Sequence, residues 1–424
     1  MQRMRRSGGP PVRLVAGKAA FAALALAMCG RAKAVDVREF GAVGDGVADD
    51  TVAVQSAIDA GGAVRFPPGV YLVSSIYLKS GGGLELDADA VLKMQPDRSK
   101  WHIREECAKY DSFGASASHA HLVNCIGATN VFIRGGTIDG DYRSFYKREY
   151  FYQCGGRRFM KPRIRKGDPS QMVWFFESSG VVLENVRLVD APFWALMLHG
   201  CDDVVLNGVV VEGADEILNS DGIDIDCCSR VRAVKCRVRT GDDALAVRAN
   251  TYALTKPRPC EHVIVEDCDL ASGYAHAIRV GVGSGEIANC RFANIRMTGT
   301  RGGIWVCSKF KGGKGAFIHD IRFEDIAMDA VCGIYVRHDY FLVPKDSPFG
   351  GELRDVRFAR VRGKSMLPSA VVGNGVAKMH GIVFKDCDIS VRTPADMPHG
   401  EFEFFSIGDS DKDDWIVRNA DVVR

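Results

Sequence analysis

The sequence predicts an all-β chain wound as a right-handed parallel β-helix, with one short helix capping its N-terminal end. Three observations carry this. From about residue 120 onward a unit recurs: a short apolar strand, a polar or small-residue corner, and a second short strand. Its spacing runs irregularly from the low twenties to the thirties, as insertions between coils of a solenoid allow. Long helical periodicity is nearly absent beyond the first part of the chain, and 46 glycines supply many tight turns. A propeller would call for a more regular period of about 40–45 residues and hairpin turns. Asn-Gly and Asp-Gly hairpin signals are few between consecutive strands.

The first 34 residues read as a secretory signal. Arg3, Arg5, Arg6, Arg13 and Lys18 form a basic stretch, Ala19 to Cys29 a short apolar one, and Ala32-Lys33-Ala34 a small-x-small cleavage site. Residues 1–34 are thus expected to be removed and residues 35–424 to form a single β-helix domain, secreted or periplasmic. Acylation at Cys29 is the second reading, ranked lower because Met28 suits a lipoprotein site poorly. The apolar stretch is too short to span a bilayer, and no later segment reads as a membrane span. A formal net charge of +2 on 424 residues gives no overall pull toward nucleic acid or membrane. Of 14 cysteines, 13 follow the signal, an odd number that argues against a fully paired disulfide framework. Cys236, Cys268, Cys290 and Cys387 recur within the apolar repeats and read as small buried hydrophobes. Cysteine and histidine spacings suggest no metal site, and nothing calls for a cofactor.

In chain order, Thr51 to Ile58 has helical spacing, with Asp49 or Asp50 as N-cap and Gly61-Gly62 as its end. A solenoid needs such a cover over its first coil. Val64-Arg65-Phe66-Pro67-Pro68-Gly69 begins that coil. The clearest repeats start at Val181 and Val204, and others follow at Val231, His262, Ile318, Leu353 and Ile382. Tyr142 to Lys166 interrupts them with nine Arg and Lys interleaved with seven aromatic residues. Two readings stand side by side: a solvated loop on the solenoid wall, or a cleft wall binding an anionic or planar ligand.

Two segments carry the chemistry: Asn219-Ser220-Asp221-Gly222-Ile223-Asp224 and Gly241-Asp242-Asp243-Ala244-Leu245. Each sets a carboxylate two residues before an alternating apolar strand, and Asp243 follows Asp221 by 22 residues, about one coil. Neighbouring strands lie roughly 4.8 Å apart, so Asp221 and Asp243 should face each other, with Asp242 alongside. Crowded like charges push at least one pKa upward. This supplies an acid and a base together, which glycosidic bond cleavage requires. Extending the alignment puts His276 level with Asp243, given an inserted loop around Lys256 to Cys260, and Trp194 level with Asp221. Arg248 and Arg279 alternate outward on their strands. Trp305 and Cys307 face outward one coil further on. Asp224 and Asp226 read as groove-lining. Asp caps at corners or Ca²⁺ ligation could explain one such aspartate, but not the whole convergence.

With Phe40 to Gly46, Asp49-Asp50-Thr51, Gly136 to Gly140 and Pro192-Phe193-Trp194, these two aspartate motifs resemble the family 28 glycoside hydrolases, the polygalacturonase family. The resemblance spans roughly Val35 to Val391. It implies an inverting hydrolase in which Asp242 is the general acid, Asp221 and Asp243 activate water, and His276 supports the acid. It points to a polysaccharide or oligosaccharide substrate, for which Asn219, Trp194, Arg248, Arg279, Trp305 and Lys309 are the candidate binding residues. One departure stands out. The family's Arg-Ile-Lys motif, which grips a substrate carboxylate, falls here on Trp305-Val306-Cys307. Lys309, Arg279 or Arg337 could substitute, and Trp305 could stack on a sugar. The alternatives are a polysaccharide lyase and a non-catalytic carbohydrate-binding β-helix, since the fold hosts all three.

Overall fold

The computed structural model describes residues 34–101, 104, 120–145, 171–251, 254–308, 315–338, 351–373, 379–397, 401, 405, 415–418 and 422–423, with the backbone of 151–154 and 157–160. The expected signal segment up to Lys33, and Lys309, lie outside them.

Each coil contributes to three parallel walls. One wall stacks Val123–Ile126, Val173–Phe176, Leu196–His199, Ile223–Asp226, Leu245–Ala249 and His276–Gly283 in hydrogen-bonded succession. A second stacks Thr129–Arg134, Ser179–Glu184, Asp202–Asn207 and Ser229–Val234. A third stacks Thr137–Asp139, Arg187–Val189, Val210–Glu212 and Arg237–Thr240. The alternation predicted from sequence holds. Leu196, Ile223, Leu245, Ile278 and Ile304 share one register position and are all buried inside.

The corners are set by backbone conformation. Asn130, Asp203, Arg230, His262, Asn289, Asp320 and Asp355 all adopt positive φ between 53° and 60°, in line with Gly180 and Gly381. Only Gly adopts this region freely, and Asn and Asp tolerate it best. That explains the polar or small corner of each repeat. The corner arginine Arg230 is held instead by ion pairs to Asp202 and Asp203.

The N-terminal cap is the helix Thr51–Ala60, ended by Gly61 at φ 88°. Asp50 is the N-cap residue but makes no side-chain cap bond, and the preceding Asp49 accepts from the Thr51 N–H and hydroxyl. The Asp50 carboxylate instead ties down the preceding loop through the N–H groups of Val43 and Gly44. The expected insertion before Cys260 is present and pinned. Thr255 donates twice to Glu177, and Arg258 grips Asp202. Within the basic and aromatic interruption, Tyr142–Phe145 is a short helix, and Phe151–Cys154 pairs antiparallel with Arg157–Met160. All eleven described cysteines are free, ten of them buried.

Toward the C-terminal end, Phe292, Phe323, Phe358 and Phe384 stack on successive coils with centroids 4.7 to 4.9 Å apart. Truncating Phe323→Ala opens a cavity in the middle of this ladder. It should cost about 3–5 kcal/mol, measurable as a lowered midpoint in denaturant unfolding.

Candidate active site

The wall's register brings the predicted residues together. Gly222 N–H donates to the Asp243 carbonyl, and Ala244 N–H donates to that of His276, so Asp221, Asp243 and His276 occupy one level on consecutive coils. Ala195 N–H donates to the Asp221 carbonyl, which sets Trp194 at the same level. Oxygen atoms of Asp221, Asp242 and Asp243 all lie within 4.8 Å of one another. Asp221 and Asp243 are buried, and Asp242 is partly exposed.

Each carboxylate has its own partners. Asp242 accepts from the backbone N–H of Asn219 at 2.8 Å and of Asp243 at 3.0 Å. Asn219 sits at φ 58°, so its contribution here is an aimed N–H. Asp243 meets His276 Nδ1 at 2.7 Å and Arg279 at 3.5 Å. His276 thus contacts one of the two carboxylates expected to activate water, where support of the acid Asp242 was expected. Its ring packs against Trp305 at 4.3 Å. Gly302 makes room for it, since a Cβ there would lie 2.5 Å from the imidazole. Arg248 lies 3.7 Å from Asp221, bonds Asp224 at 2.9 Å, and stacks over Trp194 at 4.4 Å.

Residues 89–397 match the family model described as glycosyl hydrolases family 28. The chain belongs to family 28 of the glycosyl hydrolases. Residues 34–86 match a second model, described as rhamnogalacturonase A/epimerase, pectate lyase-like. A probable polygalacturonase of Vitis vinifera is 26% identical over 313 residues, 70% of this chain and 61% of that protein. A polygalacturonase of Juniperus ashei is 25% identical over 356 residues, 79% of this chain and 63% of that protein. The chain therefore spans about six tenths of the length of these two curated relatives. An exopolygalacturonase of Thermotoga maritima superposes with a TM-score of 0.69 at 19% identity, covering 88% of this chain and 92% of that one. At that identity the likeness is one of fold.

Several placements in this family 28 chain differ from expectation. Asp224 and Asp226 line no groove. Both are fully buried, Asp224 against Arg248 and Asp226 against the N–H and side chain of Asn250. Trp305 does face outward, opposite Arg279, but it is only 3% exposed and stacks on Tyr335. In this arrangement it offers no face for a sugar. Trp194 is likewise buried beneath Arg248. Sequence reasoning missed the Arg301–Glu401 pair and the Asn250 contacts, because neither carries a periodic or motif signal.

Burial, then the charge of Asp243, pushes the Asp242 carboxyl up to about 6. Burial, then Asp242, raises Asp221 well above the usual carboxylate range. Burial works on Asp243 in the same direction, but Arg279, His276 and Arg248 together outweigh it and hold its pKa low. Burial also pushes His276 down, so near neutral pH the imidazole is uncharged and the arginines carry that stabilisation. Below the Asp242 value of about 6 the site therefore holds an anion beside two groups that retain protons, as acid–base catalysis requires.

Among the described residues, two clusters have ligand atoms close enough for a metal: the three aspartates, and His199 with Asp226 and Cys227. The second fits a metal poorly. Asp226 and His199 are both engaged by Asn250, and burial keeps the Cys227 thiol protonated.

A raised folded-state pKa for Asp221 means its stabilising effect is full below its ordinary value of 3.8 and lost as pH rises through the folded value. Asp221→Asn does not titrate and escapes that loss. It should melt above the parent protein at pH 8, with the advantage shrinking toward pH 4, in thermal unfolding followed by circular dichroism.

Proposed function

We propose that this chain is an exported glycoside hydrolase, secreted or periplasmic, that cleaves a pectin-like or other acidic polysaccharide. The observation that carries the reading is the three-carboxylate cluster, in which Asp243 is kept ionised beside a protonated Asp242. Asp242 protonates the leaving glycosidic oxygen. Asp243 takes a proton from water, and Asp221, itself protonated, orients that water. His276 positions Asp243 through its 2.7 Å bond. Arg279 adds charge that suits an anionic sugar. Export rests on the basic and apolar N-terminal pattern with its Ala32-Lys33-Ala34 site.

The polygalacturonase names of the two curated relatives support a pectic polymer. The missing Arg and Lys at Trp305 and Cys307 argue that the uronate is gripped differently from the family's pattern, or that the sugar at that position is neutral. Inversion follows from the family resemblance. The close approach of the carboxylates is nearer the spacing of retaining enzymes, about 5–5.5 Å, than of inverting ones, about 6.5–9.5 Å. We reconcile the two by having one water held by Asp221 and Asp243 together.

Incubation with a panel of pectic and sulfated polysaccharides should release reducing sugar without an unsaturated, ultraviolet-absorbing product. Such a product, lost with chelator, would establish a lyase instead. Asp242→Asn should lower kcat by about 10²–10⁴, and unchanged behaviour would favour a non-catalytic binding solenoid. Proton NMR of the first product settles the stereochemistry, and retained configuration would overturn inversion.

The pH profile follows from the same groups. The acid must be protonated, so kcat/KM should fall about tenfold per pH unit above roughly pH 6. The low pKa of Asp243 keeps the base ionised well into acid. Arg279→Gln removes a charge that stabilises it and should move the acidic limb to higher pH.

A further inference from the structure

Two buried thiols meet inside the solenoid, one on the coil that carries Asp221 and one on the coil that carries Asp243. Val234 lies opposite Glu266 and Arg237 opposite Asp269, so the same register sets Cys236 opposite Cys268. Neighbouring strands run about 4.8 Å apart, inside the range of roughly 4.4–6.8 Å between Cα atoms that a disulfide spans. Both side chains belong to the core, each 2% exposed. Cys268 Sγ donates to the Ala233 carbonyl, on the coil of Cys236, at 3.9 Å. Cys236 Sγ donates to the Leu206 carbonyl, one coil earlier, at 3.7 Å. The Cys268 sulfur is thus turned toward Cys236, and the two thiols hydrogen-bond to each other. In this column Val209 precedes Cys236 and Ile295 follows Cys268, so no third thiol adjoins the pair. A second column, Cys201, Cys228 and Cys260, leaves Cys228 between two neighbours. Burial there keeps the Cys228 and Cys260 thiols protonated.

We propose that Cys236 and Cys268 form a disulfide between the two catalytic coils when the chain folds in an oxidising compartment. The oxidant is a small-molecule disulfide such as oxidised glutathione. The Cys268 thiol donates to Cys236 and holds its pKa below the ordinary thiol value, which makes Cys236 the attacking sulfur. Its thiolate breaks the S–S bond of the oxidant and expels one thiolate, leaving a mixed disulfide. Cys268 then loses its proton, attacks Cys236 Sγ and expels the second thiolate. The two cysteines give up two electrons and two protons, and the oxidant leaves as two thiols. The finished core encloses both sulfurs, so the exchange takes place as the coils assemble. The bond closes a loop that contains Asp242 and Asp243. It joins the two coils whose register sets the approach of the carboxylates. This goes beyond the hydrolytic reading and does not depend on it.

In the test, the reduced and unfolded full-length chain is refolded with oxidised and reduced glutathione. It is then alkylated under denaturing conditions and mapped by mass spectrometry. The expected result is a peptide pair joined through Cys236 and Cys268, lighter by two hydrogens than its reduced halves. Full alkylation of both cysteines overturns the proposal, and so does a bridge from either to any other cysteine. Protein refolded and melted under a phosphine reductant should unfold a few degrees below the bridged protein. Equal midpoints overturn the stapling of the two coils. Cys268→Ala should leave Cys236 open to alkylation and lose the dependence on reductant, and a dependence that persists overturns the assignment. Should that variant fail to fold, the peptide map of the parent protein decides.

Discussion

The register of the parallel ladder is the constraint on which the site depends. A chain free to relax would not bring three carboxyl groups within 4.8 Å. Here the separation of Asp221 and Asp243 is the separation of neighbouring strands, about 4.8 Å, fixed by backbone hydrogen bonds such as Gly222 N–H to the Asp243 carbonyl. The apolar residues beneath enforce it. Ile223 and Leu245 are buried at one level, Ile225 and Val247 at the next. A slip of one residue would turn those four outward and Asp224 into the core. The hydrophobic pattern therefore stabilises an electrostatic arrangement that is unfavourable by itself.

Two buried arginines make the three aspartates unequal. Arg248 is shared among Asp224, Asp226 and Asp221, with the shortest contact to Asp224. Little of its charge is left for Asp221, whose pKa stays high. Arg279 comes from the next coil and meets Asp243, which is also bonded by His276. Asp242 has only backbone N–H groups as described hydrogen-bond partners and lies next to an anion. Its intermediate position, about 6, follows. Asp224 and Asp226 matter to the chemistry without touching the cleft, because they occupy Arg248.

Period-two alternation and the offset between aspartate motifs made the wall register legible. Ile223 opposite Leu245 opposite Ile278 needs only apolar pattern and one inserted loop. What the outward residues do was less legible. Alternation tells that Asp224, Asp226 and Trp305 leave the core, but not that something covers them. The cover comes from Asn250, from Tyr335 and from Phe405, and the last of these lies 100 residues beyond Trp305 in sequence. The partner of His276 was also out of reach. Register places it level with Asp243, yet whether an imidazole turns toward Asp242 or Asp243 depends on side-chain room, here provided by Gly302.

The missing Arg and Lys and the buried flank are one feature seen twice. Outward positions carrying Arg and Lys could not be packed beneath Phe405 without a large desolvation cost. Trp305 and Cys307 bear no charge, so they join Tyr335, Ala370 and Phe405 in a second apolar cluster. Arg337, opposite Cys307, keeps its charge satisfied by donating to the Phe405 carbonyl. Arg301 is fully buried yet paired with Glu401 and the Tyr274 carbonyl. The uncharged residues at positions 305 and 307 are thus what permits this flank to pack as an apolar cluster. Restoring an arginine at position 305 would place a charge against Tyr335 with no described anion beside it. Any gain in binding a uronate there would come at the expense of the apolar contacts that cover the wall.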